Sequence, residues 1–154
     1  MLNSELVARI ESRIFQVRGR RVMLDSDLAM LYGVETKYLT RQVKRNLKRF
    51  PEDFMFRLTP EEFLRCQKVT SKRGGRRYLP YAFTEEGVAM LSSVLNSGRA
   101  IMVNIHIMRA FVNLRRISLT YVGLKRKIEG MEKKYDEEFK IVFTAFKKLI
   151  EPQP

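Results

Sequence analysis

Acidic residues are missing from two long stretches of this 154-residue chain: none stands between Glu35 and Glu52, and none between Glu86 and Glu129. Cysteine and histidine are nearly absent. Cys66 and His106 are the single examples, so one chain can build neither a disulfide framework nor a Cys/His zinc cluster. Long apolar runs are missing too. Runs such as residues 101–103 and 105–108 fall far short of the roughly 20 residues that span a bilayer. The first residues also lack the charged start and apolar core of a signal peptide. The expectation is a cytoplasmic protein with no membrane partner and no cofactor, too short to be a large multidomain enzyme.

What is abundant is positive charge. Thirty Lys and Arg face 17 Asp and Glu, giving a net charge of +13 and a sequence pI near 10.2. That balance suits phosphate backbones or anionic membrane surfaces, and charge alone does not choose between them. The 45% apolar content is enough for one core-bearing domain and an accessory element.

The pattern along the chain switches period repeatedly, with strand-like runs at 14–17, 21–24, 54–58 and 77–83 between helical segments, which reads as an α+β domain. Gly19 with Arg20 reads as a tight turn joining the first two runs. Helix starts are marked by Thr59-Pro60-Glu61-Glu62, a capping box with proline at the first helical position, and by Thr84-Glu85-Glu86. Residues 98–114 are apolar on most sides and are expected to form a central helix, buried in the core or in a subunit contact. From residue 117 onward, Tyr121, Leu124, Ile128, Met131, Tyr135, Val142, Ala145 and Leu149 step by threes and fours, broken only at Glu138, the spacing of a heptad seam. The expected division is residues 1–116 as a folded domain and 117–154 as an amphipathic helix or coiled coil that either joins two copies or docks back on its own domain.

Within residues 34–51, a helical projection separates Leu39, Val43, Leu47 and Phe50 from Lys37, Arg41, Lys44, Arg45 and Lys48. A surface helix ordinarily mixes acids among its bases, because like charges four apart repel. Ahead of it, Asp25-Ser26-Asp27 signals an N-cap, Leu28, Leu31 and Tyr32 supply an apolar face, and Gly33 allows a sharp turn. Short helix, glycine turn and basic second helix make a helix-turn-helix pattern. In that geometry Lys37, Tyr38, Thr40, Arg41, Lys44 and Arg45 approach bases or flanking phosphates of double-stranded DNA, while Lys48 and Arg49 touch backbone. Gln42 and Asn46 lie between the faces and are assigned no base contact.

A second basic element surrounds Gly74-Gly75, with Lys72, Arg73, Arg76 and Arg77 at its tip. As a hairpin joining 67–71 to 77–83, it would resemble the wing of a winged helix, with Leu79, Tyr81 and Phe83 on one face and Pro80 marking an edge strand.

The segments "MLDSDLAMLYGVETK", "RFPEDFMF" and "YLPYAFTEEGVAMLSSVLNS", in that order and spacing, resemble the ORF-six N-terminal domain family, which is related to KilA-N. The likeness covers about residues 10 to 116. It implies a phage-type DNA-binding domain, found in bacteria and their phages and often joined to antirepressor or other variable modules, with no catalytic residues. The expected protein is thus a helix-turn-helix, winged-helix-like regulator that reads double-stranded DNA as a homodimer through residues 117–150.

Three other readings compete. A protein-interaction module, antirepressor-like, would use its basic surface on a repressor or host protein. An RNA-binding protein would use exposed aromatics such as Tyr38 and Tyr78. An enzyme is the weakest, since His106 sits between Ile105 and Ile107 on an apolar helix. Cys66, though placed near Arg65 and Lys68 where its pKa could fall, has no second cysteine or nearby histidine. The acid pairs at 25 and 27, 61 and 62, and 85 and 86 all sit where caps and first turns want them.

Overall fold

The computed structural model describes residues 2–67, 78–132 and 137–150. Contacts divide the chain into two units, Met1–Phe111 and Val112–Pro154, and the division falls inside one long helix. The first unit runs α1 (Leu2–Glu11), β1 (Phe15–Val17), β2 (Arg20–Leu24), α2 (Asp25–Tyr32) and α3 (Thr36–Arg45). After a 3-10 turn at Leu47–Arg49 come β3 (Met55–Arg57), α4 (Pro60–Cys66), β4 (Tyr81–Thr84), α5 (Glu85–Leu95) and the first part of α6 (Gly98–Glu132). The expected α+β character is what the chain adopts. Among the described residues the strands form one antiparallel sheet, ordered β1-β2-β4-β3.

Three of the expected strands lie where the period-two pattern put them, and the fourth differs. β4 is central, paired with β2 through Met23↔Phe83 and with β3 through Met55↔Phe83. Pro80 therefore does not mark an edge strand. It stands just ahead of β4, where no ladder bond is asked of its nitrogen, and its carbonyl accepts from the Leu58 N–H at 3.0 Å. Gln67 ends α4 as its C-cap, and the rest of the segment expected to form the hairpin's first arm, with the glycine loop, lies outside the described residues.

The β1–β2 turn is one residue earlier than expected. Val17 pairs with Arg20, leaving Arg18 and Gly19 as a two-residue loop with φ of 55° and 74°. Two positive φ values match the right-handed twist of hairpin strands, but a non-glycine residue there is strained. Arg18 is held by its side chain: Nε and Nη2 reach the two Glu62 carboxylate oxygens at 2.8 and 3.0 Å, and the guanidinium lies 4.2 Å over the Phe56 ring. Glu62 also closes the expected capping box, accepting from the Thr59 N–H at 2.8 Å while its own N–H donates to Thr59 Oγ1 at 3.2 Å. One carboxylate thus ties hairpin to helix. The Arg18 guanidinium, with help from the Thr59 N–H, holds the Glu62 carboxyl down at about 2.

The sheet has a core on each side. On one, Met23, Met55 and Phe83 pack with Leu28 of α2, Leu39 and Val43 of α3, Val88 and Leu91 of α5, and Ile107 and Phe111 of α6. On the other, Val22, Leu24 and Ala82 meet Leu58 and Cys66. Phe50 meets Phe83 edge to face, with centroids 5.9 Å apart. Thr84 caps α5 by accepting from the Gly87 N–H at 3.3 Å, while its hydroxyl donates to the Asp53 carbonyl at 2.8 Å. These bonds draw the chain before β3 so near α5 that a Cβ at position 87 would stand 2.0 Å from the Phe54 carbonyl oxygen.

Within α6 the expected burial in the core holds for one face. Ala100, Asn104, Ile107, Ala110 and Phe111 are buried, whereas Ile101, Met102 and Ile105 are exposed, so only one face enters the core. The buried Asn104 links helices: its Oδ1 accepts from the Tyr32 hydroxyl and its Nδ2 donates to the Val88 carbonyl at 3.0 Å. Burial of that phenol pushes its pKa well above the ordinary range.

The second unit holds the rest of α6 and α7 (Glu137–Ile150). Residues 129 and 147 on one continuous helix would stand about 27 Å apart along its axis. Lys147 Nζ lies 4.0 Å from the Glu129 carboxylate, so α7 turns back toward α6 and the heptad positions do not extend along a single straight helix. Ile128 is buried, while Leu124, Val142 and Leu149 are exposed. Among the described residues no helix is long and apolar enough to cross a membrane.

Gly87→Ala is expected to lower the unfolding free energy by about 3 kcal/mol, because a backbone carbonyl must move to admit the methyl. Urea melts should show a lower midpoint at unchanged slope. For Glu62, a depressed carboxyl stabilises the fold above the ordinary range near 4.5 and loses that contribution as pH falls toward about 2. Urea midpoints measured across that window should drop less steeply in Glu62→Gln than in the parent chain.

Candidate nucleic-acid interface

The segment from β2 to Phe50 is built from its ends inward. The expected cap at Asp25-Ser26-Asp27 is not made by those side chains: Leu24 occupies the N-cap position, with no side-chain cap bond. Asp25 is instead buried, and its Oδ2 accepts from the Tyr81 N–H at 3.1 Å, fastening the start of α2 to β4. Asp27 pairs with Arg13 at 3.1 Å. Both acids still lie in the first helical turn, where the macrodipole favours them.

α2 ends in a left-handed residue. Gly33 has φ 75° and ψ 33°, with its N–H donating to the Met30 carbonyl and the Val34 N–H to the Ala29 carbonyl. That bond pair is the Schellman arrangement. A side chain at 33 would be strained by φ, and its Cβ would meet Arg99 Nε at 2.8 Å. Arg99 Nε donates to the Leu31 carbonyl at 3.2 Å, so the end of α2 is secured from α6 as well. Val34 and Glu35 then turn the chain into α3, which packs on α2 and α5.

α3 is shorter than the helix expected over 34–51. It stops at Arg45, where Asn46 leaves helical geometry with φ −122° and ψ 35° and donates from Nδ2 to the Gln42 carbonyl at 2.8 Å. The break rotates the next residues away from the helical projection. Leu39, Val43 and Phe50 are buried as expected, but Leu47 is 56% exposed and does not join the apolar stripe. Lys48 and Arg49 consequently lie on the 3-10 turn rather than on α3.

Lys37, Arg41, Lys44, Arg45 and Lys48 are all exposed. Among the described residues none of the five has an ion-pair or hydrogen-bonding side-chain partner. Arginines on the sheet side differ: Arg18 pairs with Glu62, Arg20 donates to the Asp53 carbonyl at 3.0 Å, and Arg57 donates to the Leu79 carbonyl at 3.1 Å while stacking on Tyr81. Tyr38 is 41% exposed beside the cations. Thr40 is half-buried and commits its proton to the helix itself, donating to the Thr36 and Lys37 carbonyls at 3.1 and 3.2 Å. Arg49 Nη1 donates to Ser93 Oγ at 3.2 Å, which ties the turn to α5. Lys72, Arg73, Arg76 and Arg77 lie outside the described residues.

Two groups set aside on chemical grounds also have definite places. His106 is buried, with its Nδ1 lacking a partner among the described residues. Cys66 is buried beneath the sheet, and burial pushes its thiol pKa up against the smaller opposing pull of Arg65, the reverse of the activation its basic neighbours suggested. Leu47 is the surface feature that helical projection missed. Its only sequence signal was the asparagine before it, a residue common where helices end.

These features define a class: a small α+β domain whose antiparallel sheet backs a short helix with an uncompensated cationic side. A family model for the ORF6N domain matches residues 12–94, just over half of the chain. The chain belongs to that phage-type domain family, and the matched span contains every element from β1 to α3 and on through most of α5. No curated protein and no solved structure matches the chain.

Because the Arg41 and Lys44 side chains make no ion pair or hydrogen bond among the described residues, replacing both by alanine should leave the unfolding free energy within about 0.5 kcal/mol of the parent, or raise it by relieving repulsion. Urea unfolding followed by circular dichroism measures this directly.

Proposed function

We propose that the protein is a sequence-selective double-stranded DNA-binding regulator of phage or prophage type, acting in the cytoplasm, with α2, Gly33 and α3 working as a helix-turn-helix. The observation that carries this reading is the set of five cations on and just after α3 that have no partner among the described residues, in a molecule that engages its sheet-side arginines internally. Like charges so close together repel, and a polyanion removes that penalty. A ten-residue helix is about 15 Å long and fits the major groove of B-form DNA.

In this reading Lys37, Tyr38, Arg41, Lys44 and Arg45 meet base edges and flanking phosphates, while Lys48 and Arg49 hold the backbone. Thr40 is left with acceptor capacity and its methyl group. Leu47, exposed among these cations, suits a thymine methyl. Lys72, Arg73, Arg76 and Arg77, which lie outside the described residues, add positive charge for phosphates. Residues 117–150 join two copies: Ile117, Leu119, Val122, Val142 and Leu149 are exposed apolar side chains on α6 and α7, a surface that monomers seldom leave bare. Two-fold pairing would place two α3 helices on half-sites of near-palindromic DNA. The second reading, a module that binds an acidic repressor or host protein, uses the same cations and predicts saturable binding that survives competitor DNA.

Selection from a random duplex library at about 150 mM salt separates the two readings. A motif, two-fold repeated for a dimer, should be enriched. Arg41→Ala with Lys44→Ala should weaken binding to it by at least about tenfold, whereas Arg73→Ala with Arg76→Ala should reduce the salt slope by about one for each phosphate no longer touched. Absence of any motif, together with unchanged affinity in the first double variant, would falsify the recognition-helix assignment.

A further inference from the structure

The first unit contains an open-mouthed cavity of about 740 Å³ between α1, α2 and the beginning of α6, away from the exposed side of α3. Its walls are apolar: Leu6 from α1, Met30 and Leu31 from α2, and Met102 and Val103 from α6. Its charged lining is of one sign. Arg9, Arg13 and Arg99 border it, and among the described residues no carboxylate lines it.

The three arginines are not equivalent. Arg13 is neutralised by Asp27 at 3.1 Å. Arg99 uses Nε on the Leu31 carbonyl, which leaves its terminal nitrogens for another acceptor. Arg9 is exposed and has no ion-pair partner among the described residues. Two cationic heads therefore stand at an apolar cavity without counter-charge.

His106 lines the same cavity, although the residue is 92% buried, at 8% relative exposure. Its Nδ1 is covered and has no hydrogen-bond partner among the described residues. A buried imidazole with an unpartnered nitrogen among the described residues thus stands beside the two arginines.

We propose that this cavity binds a small carboxylate carrying an apolar body, with Arg9 and Arg99 holding the carboxylate beside His106, and Leu6, Met30, Leu31 and Met102 lining the apolar part. The volume lies in the range of small-ligand sites, and an apolar wall with a few convergent polar groups is the usual composition of such sites. Arginine matches a carboxylate because its fork engages both oxygens at once. A purely apolar occupant would leave the cations unused, and a small hydrophilic anion would leave the walls wet. Occupancy of the cavity does not depend on what α3 binds.

The test uses the full chain and octanoate as the probe, with octanol and acetate as partial mimics of its two halves. Methyl resonances of Met30 and Met102 report occupancy. Octanoate should saturate at one molecule per chain, with octanol and acetate each at least about tenfold weaker. Arg9→Gln should weaken octanoate by about tenfold and leave octanol unchanged, since the Arg9 side chain supports no contact in the fold. Met102→Trp, at a side chain 61% exposed, should weaken both by filling the cavity. The proposal is overturned if octanoate does not saturate by about 10 mM, if octanol binds equally well, or if neither variant changes octanoate affinity.

Discussion

Gly33 occupies the left-handed region at the end of α2, and the Arg99 side chain lies where a Cβ would stand. That single position fixes the direction in which α3 leaves α2. Everything on the basic surface depends on that direction, because α3 can bury Leu39 and Val43 against the sheet only if it starts from there. Once those two side chains and Phe50 are in the core, the opposite side of a ten-residue helix has nowhere to point but outward. The lysines and arginines of α3 are exposed as a consequence of apolar packing, and their charge is left uncompensated because no acid occurs in the segment.

The remaining cations of the first unit divide by the work they do. Arg18 supports a strained hairpin residue through Glu62 and Phe56, Arg20 and Arg57 satisfy carbonyls at the margins of the sheet, and Arg99 closes the end of α2. Arg18, Arg20 and Arg57 are spent on structure, and Arg99 is engaged there through its Nε. The five of α3 and its following turn are not, and the difference separates a generally basic protein from one with a basic surface in a particular place. Charge in excess of structural need, concentrated where the backbone offers a regular helix, is the pattern expected of nucleic-acid contact.

Much of the architecture was legible in the sequence. Period-two runs located β1, β2 and β3, the Thr59 capping box and the Thr84 cap marked α4 and α5, and Gly33 marked the turn between α2 and α3. The misreadings share a cause. Pro80 read as an edge signal because its missing N–H is a local fact, while the position of β4 between β2 and β3 depends on strands some 25 to 60 residues away. Leu47 fitted the apolar stripe because projection assumes an unbroken helix, and the break at Asn46 is set by Phe50 reaching Phe83. Asp25 and Asp27 looked like caps, yet one serves β4 and the other Arg13.

By itself the sequence determined the elements, the sign and location of the charge, and the apolar positions of α3, since these rest on periodicity, caps and composition within a few turns of chain. Tertiary structure alone decided which cations are free and which are engaged, because an arginine's partner is usually far away in sequence: Arg18 and Glu62 are joined across 44 positions, and Arg99 and Leu31 across 68. It also decided that only one face of α6 is buried, and that α1, α2 and α6 leave a cavity between them. Helical periodicity says which residues share a side. What that side meets depends on how distant elements pack.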